Sequence, residues 1–322
     1  HTAAPLERCG STSALLTGGL GNLAGIAAAW LVANTAAHLR LAGRSGRTRS
    51  APSVLQHAAL GDSGCAVSTE RLDAGVASEA MAVQCAHSPA VGMLLHAGGV
   101  LCDATIPNQT ARGVSTSSAA KVSALHNLQR TLGHDPLHMQ MVFSSVASLL
   151  GSAGQSNYSA ANAALDSMAH SARTAGSVCT SVQWGAWGGG GMASQDRSTA
   201  LRMDRTGVGM LTPVEGVQVM STLLAQDQRQ TGALYPAVLA ANPFTWAKFM
   251  KQMGPVVPHL FQEYACHVQP AVSAERPTNG RAARKRSGKP RAVCKPKPSK
   301  ELGLELQSQV MQVVRGVLGS EV

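Results

Sequence analysis

Short apolar runs recur along the chain, separated by stretches whose apolar positions follow a helical period. "SALLTG" (13–18), "HLRLAG" (38–43), "VGMLLHA" (91–97), "MQMVFSS" (139–145), "TSVQW" (180–184) and "ALYPAVL" (233–239) predict strands. Helices are predicted over 21–34, 73–84, 112–130, 158–174 and 213–226. The last has a clear start, with Thr212 as N-cap, Pro213 in the first turn and Glu215 completing a capping box. Between 61 and 72 the alternation is too weak to place a strand. Apolar strands alternating with helices predict an α/β fold, a Rossmann-like doubly wound parallel sheet with helices on both faces.

After about residue 255 the periodicity fades. Residues 276–300 hold ten Lys/Arg and no acid, and the remaining 17 basic residues balance 17 acidic ones. The net charge of +10 therefore sits in a Pro/Gly-punctuated linker, expected to be disordered over 256–300. Nucleic-acid binding by the folded part is not expected. An amphipathic helix resumes over 302–318, with apolar residues at 304, 306, 310, 313, 314 and 317. The expected organisation is a folded unit at 11–255, the linker, and the start of a second domain at 301–322. The lack of an initiator Met suggests a fragment of something longer.

Hydrophobic residues make up 44% of the chain but aromatics only 3%, so the core must rest on Ala, Val and Leu. Seven cysteines are scattered without a C-x-x-C pair, which suggests reduced thiols and a cytoplasmic setting. No stretch reaches the ~18 uninterrupted apolar residues of a membrane span. "HDPLH" (134–138) spaces two histidines four apart, but it lacks a third ligand and no metal site is expected.

"LLTGGLGNLAG" (15–25) joins the first strand to the first helix. A dinucleotide pyrophosphate needs close backbone approach followed by a helix N-terminus. Thr17, Gly18, Gly19, Leu20 and Gly21 can build that turn. The second strand ends in Arg44 and Ser45, and no Asp or Glu occurs from Cys9 to Gly61. An acid there would bind a ribose 2′-hydroxyl, whereas an arginine suits a 2′-phosphate, so NADPH is favoured over NADH. Asp73 is a candidate adenine contact or, equally, a helix cap.

Asn162 lies one helical turn after Tyr158, so both face one way. Ser145 closes a strand, where α/β sheets place their ligands. A serine hydroxyl and a phenol together can hold and protonate a carbonyl oxygen. A phenol with a pKa near ~10 needs a nearby cation for this work. Lys121, the only lysine before Lys248, is the candidate.

"TGGLGNLAG", "HAGGVLCDATIPNQT", "AKVSALHNL", "FSSVASLLGSAGQSNYSAANAALDSMA" and "WGAWGGGGMA" occur in that order. From about residue 11 to 250 the chain resembles the ketoreductase domain of modular polyketide synthases, within the short-chain dehydrogenase/reductase superfamily. The resemblance implies that Tyr158 donates the proton and Ser145 orients the carbonyl, while Lys121 and Asn162 support the ribose and the proton relay. It also implies that Ala97 and Gly98 line the nicotinamide side. The activity implied is NADPH-dependent reduction of a β-ketoacyl thioester on an acyl carrier protein, beside other domains of a synthase. Asp103 in "LCD", with Leu150 where the opposite class has tryptophan, implies the D-β-hydroxy product. Trp184 either faces substrate or plugs the sheet edge. With only about ten residues before the first strand, the N-terminal structural subdomain usual in these reductases is expected to be missing or supplied from elsewhere. The 302–318 helix resembles the first helix of an acyl carrier protein. The rival readings are the matching domain of an animal-type fatty acid synthase and a reduction-incompetent scaffold.

Overall fold

The computed structural model describes residues 13–34, 38–47, 65–85, 90–133, 135, 137–188, 197–226, 236–254 and 256–267. Most of the basic segment and the whole terminal helix expected at 302–318 lie outside them.

Among the described residues, seven strands form one parallel sheet. They are β1 Ser13–Thr17, β2 His38–Gly43, β3 Ala66–Arg71, β4 Val91–His96, β5 Met139–Ser145, β6 Cys179–Trp184 and β7 Val238–Ala241. Their order is β3-β2-β1-β4-β5-β6-β7, so the winding reverses between β1 and β4. A crevice opens above the strand ends at such a reversal, and it is where open α/β sheets bind ligands. The expected fold class holds.

Helix α1 (Asn22–Asn34) follows β1, and α2 (Ala77–Cys85) follows β3. Ala24, Ala27, Ala28 and Leu31 of α1 are buried with Leu39 and Leu41 of β2 in the largest core cluster. Small side chains let the helix approach the sheet closely, as a core poor in aromatics requires. Helices α3 (Ala111–Ser118) and α4 (Ala124–Thr131) are joined by a π-helical turn at Ala119–Ser123, where the pattern predicted one uninterrupted helix. After β5 come the single turn α5 (Ala147–Leu150) and the long α6 (Ser156–Thr174). Leu125 of α4 and Leu165 and Ala169 of α6 pack with Val142 and Cys179 beneath it.

Helices α7 (Arg197–Thr206) and α8 (Pro213–Gln226) follow β6. The capping box at Thr212 is formed: Glu215 N–H donates to Thr212 Oγ1 at 3.2 Å and Thr212 N–H to Glu215 Oε2 at 2.8 Å.

Three expectations are corrected. Strand β3 exists where no strand was placed; it is the sheet edge, its residues are half-buried to exposed, and so its sequence carries little apolar alternation. Strand β7 begins at Val238, after Pro236, later than the predicted 233. Residues 259–267, assigned to the linker, form a 3₁₀ segment. Phe261 there packs against Phe249 and Met250 of α9 (Trp246–Lys251), and Tyr264 stacks on Trp246 at 3.7 Å.

Gly216 on α8 meets the Trp187 ring, with no room for a methyl group between them. Gly216→Ala should therefore lower stability by about 1–3 kcal/mol through overpacking. Helix propensity alone would raise it by about 1 kcal/mol. Urea unfolding of the two chains reads the sign directly.

Candidate active site

Strand β5 delivers Ser145 to the crevice. Ala147 N–H donates to Ser145 Oγ at 3.2 Å. With a lone pair of the oxygen engaged in that way, the hydroxyl proton remains free to donate outward. The loop behind it is locked by a buried carboxylate. Asp166 of α6 accepts from Ser181 Oγ (2.6 Å), Ser148 Oγ (2.8 Å) and Gln183 Nε2 (2.8 Å). Ser148 Oγ is also close to the carbonyl of Ser145, at 2.8 Å.

Tyr158 sits in the first turn of α6. Its position depends on Asn157, whose Oδ1 accepts the Tyr158 N–H at 2.8 Å. The Asn157 amide donates to Cys102 O at 2.8 Å and Ser117 Oγ at 3.2 Å, pinning the helix start to the loop after β4 and to α3. Burial raises the phenol pKa, and hydrogen bonding from the Asn162 and Ser145 side chains opposes the rise. The Asp103 carboxylate adds to it. The group is thus held as a phenol, the form able to give a proton.

Asn162 is fully buried. Its Nδ2 donates to Tyr158 O at 2.9 Å, and its Oδ1 has no partner among the described residues. A buried acceptor left open is costly unless another donor fills it.

Lys121, at the centre of the π-helical turn, is only 4% exposed. Its ammonium donates to Phe143 O at 2.9 Å and lies 5.4 Å from the Tyr158 ring centroid. Burial lowers its pKa to about 8, while the Asp166 carboxylate opposes the fall. At neutral pH the cation therefore persists beside the phenol. A Cβ on Gly99 would come within 3.6 Å of the ammonium nitrogen.

The glycine turn lies alongside. Gly18 adopts φ +72°, and a Cβ there would meet Ala97 and Gly98 backbone atoms at 2.8 Å. Ala97 N–H donates to Thr17 O at 3.0 Å, and Gly19 N–H to Ala42 O at 3.0 Å. Leu20 covers the Gly43 end of β2, and Gly21 N–H closes the turn onto Gly18 O at 3.1 Å. A bare backbone cradle running into the N-terminus of α1 fits a dinucleotide pyrophosphate.

Thr17, Gly18, Gly19, Leu20, Gly21, Ala97 and Gly98 thus gather at the crevice, as do Lys121, Ser145, Tyr158 and Asn162. Arg44 and Ser45 are exposed after β2, with Ser45 Oγ bonded to Arg47 O at 2.9 Å. Asp73 is a turn cap: its Oδ1 accepts from Gly75 N–H at 3.0 Å, so its carboxylate is engaged by the chain itself. Asp103 accepts from Gln155 Nε2 at 3.0 Å. Leu150 packs toward the Phe249–Phe261 cluster. Trp184 packs into the largest core cluster. The ring is 4% exposed, between Phe143 (5.4 Å between centroids) and Trp187 (5.1 Å). No group of three metal-ligating side chains occurs among the described residues.

The model of the KR domain family matches residues 12–189. The chain belongs to the KR domain family. This KR domain is 32% identical over 249 residues to the polyketide synthase GfsB of Streptomyces halstedii, covering 77% of the chain and 4% of GfsB. It is 35% identical over 226 residues to the phenolphthiocerol synthesis polyketide synthase Pks15/1 of Mycobacterium bovis, covering 69% and 11%. It thus spans a small fraction of these relatives. Among solved structures, A-type ketoreductases from a modular polyketide synthase align with a TM-score of 0.69 at 29% identity, over 77% of this chain and 50% of theirs.

Sequence reasoning met His96 only as the first residue of the "HAGG" loop and did not find Asn157 or Asp166. His96 is 1% exposed, with Nδ1 2.7 Å from Thr17 Oγ1 and Nε2 3.1 Å from Lys121 O. Burial, then the Lys121 charge, lowers its pKa from 6.5 to about 3. The unfolded chain therefore binds a proton between pH 6.5 and 3 that the folded one refuses. Stability linked to His96 is fully present above pH 6.5 and falls as pH drops towards 3. Urea unfolding at pH 7 and pH 4.5 should show a decline that is smaller in His96→Gln.

Proposed function

We propose that this chain reduces a β-ketoacyl thioester, carried on an acyl carrier protein, to the β-hydroxyacyl thioester with NADPH. The observation that carries the reading is the buried Lys121 ammonium beside a phenol held protonated, with the Ser145 hydroxyl flanking it. The cofactor, when bound along the glycine turn, supplies hydride to the ketone carbon. Ser145 donates a hydrogen bond to the ketone oxygen and fixes its direction. Tyr158 passes its proton to that oxygen as the negative charge develops. The Lys121 cation stabilises the phenolate left behind until a proton returns through the polar groups around Lys121 and Asn162. The carbonyl carbon gains hydride and its oxygen a proton, so the ketone becomes a secondary alcohol.

The preference for NADPH is supported by Arg44 and by Arg71, which pairs with Gly43 across β2–β3 and packs against Gly46. Both stand at the strand ends beside the glycine turn, where a 2′-phosphate would lie. Asp103 at the mouth, with Leu150 where tryptophan would otherwise stand, supports the D product. The match to polyketide synthases favours that setting, with the other domains of a synthase as partners, over a fatty acid synthase. A reduction-incompetent scaffold is disfavoured because the tyrosine, serine, lysine, asparagine and glycine turn are all present. Among the described residues, free thiols at Cys102, Cys179 and Cys266 support a cytoplasmic setting.

With a β-ketoacyl N-acetylcysteamine thioester, Tyr158→Phe should slow NADPH oxidation by about 10²-fold or more; unchanged rates would refute the mechanism. The ammonium form of Lys121 is required, so kcat should fall as pH rises through about 8. Chiral chromatography of the product should return the D alcohol, and a predominantly L product would contradict the assignment.

A further inference from the structure

We propose that His96 is a positioning residue that ties the cofactor turn to the catalytic lysine. It joins the Thr17 hydroxyl to the Lys121 backbone carbonyl and thereby holds the π-helical turn that aims the lysine at Tyr158. This inference rests on the reductase reading of the same site.

The chemistry of the two partners fixes the state of the ring. A backbone carbonyl can only accept, so Nε2, 3.1 Å from Lys121 O, carries the proton. In the neutral ring Nδ1 is then an acceptor, and the Thr17 hydroxyl, 2.7 Å away, donates to it. Thr17 ends β1 and opens the glycine turn, while Lys121 belongs to the helical layer, so one imidazole spans the two halves of the crevice. The space is cut to the ring: a Cβ on Gly98 would lie 3.2 Å from His96 Cε1.

The π-helical turn shows why a tie is needed there. Ala124 N–H reaches both Ala119 O, at π spacing, and Lys121 O, so the Lys121 carbonyl stands where the π turn gives way to α4. π-Bulges of this kind carry an energetic cost and collect at functional sites. The His96 N–H gives this carbonyl a donor from outside the helix and favours the widened turn over a regular helix. A regular helix would rotate Lys121 away from Phe143 O and the Tyr158 ring.

Nitrogen-15 NMR of the intact, ligand-free chain tests the tie without any appeal to activity. A His96 ring that is neutral and protonated at Nε2 at pH 7 supports the proposal. The Nδ1-protonated tautomer, or an imidazolium, overturns it. The functional arm uses His96→Ala, expected to lose about 10²-fold in kcat, the scale of a misplaced catalytic group. Imidazole, which can donate and accept, should restore kcat. 1-Methylimidazole fills the same space but cannot donate to the carbonyl, and it should not. Equal effects of the two additives, or wild-type kcat in His96→Ala, overturn the proposal. If His96→Ala does not fold, the NMR result decides. A wild-type chain inactive on the thioester but with the expected tautomer would refute the reductase reading and leave the tie standing.

Discussion

Lys121 carries a positive charge into a nearly dry interior, and much of the surrounding structure is what makes that tolerable. Burying an isolated ammonium costs several kcal/mol, so the charge persists only where fixed dipoles and counter-charge replace water. Here Phe143 O accepts from it at 2.9 Å and the Tyr158 ring offers its face. Asp166, itself held by Ser148, Ser181 and Gln183, provides negative potential from behind. The balance leaves the lysine with a pKa of about 8, charged at neutral pH but only just. A cation placed that way suits the role proposed for it, stabilising a transient phenolate at Tyr158.

The fold explains how these groups meet. Parallel winding sends the ends of β1, β4 and β5 to one edge, and the reversal between β1 and β4 opens the crevice there. Thr17, His96 and Ser145 each close one of those strands. The helical layer adds Lys121 from the π turn and Tyr158 with Asn162 from α6. No two of the four groups proposed to act on the carbonyl would be adjacent in an extended chain except Tyr158 and Asn162, one helical turn apart.

Features that obey a local rule were legible in the sequence. The glycine turn announces itself by composition and by its place between the first strand and first helix. Tyr158 and Asn162 share a face by helical period, and Lys121 stands out because no other lysine precedes Lys248. What escaped was set by tertiary contact. His96 reads as the polar end of an apolar strand, Asp166 as one more helix residue, and Asn157 as a loop-like asparagine; only the packed structure gives them partners. Strand β3 escaped because an exposed edge needs no apolar face. The 3₁₀ segment at 259–267 was hidden because its anchor, Phe261, joins aromatics some ten residues and more upstream. Trp184, for which the sequence left substrate contact and core plug both open, is a conspicuous aromatic that packs in the core.

Isotope transfer tests the central claim, that this crevice reduces a carbonyl, most directly. The chain is incubated with a β-ketoacyl thioester and NADPH deuterated at the transferable C4 position, and the product is examined by mass spectrometry and NMR. The account predicts a β-hydroxyacyl thioester carrying one deuterium at the carbinol carbon. A product without deuterium at that carbon, or recovery of unreduced ketone from a folded, cofactor-saturated chain, would contradict it.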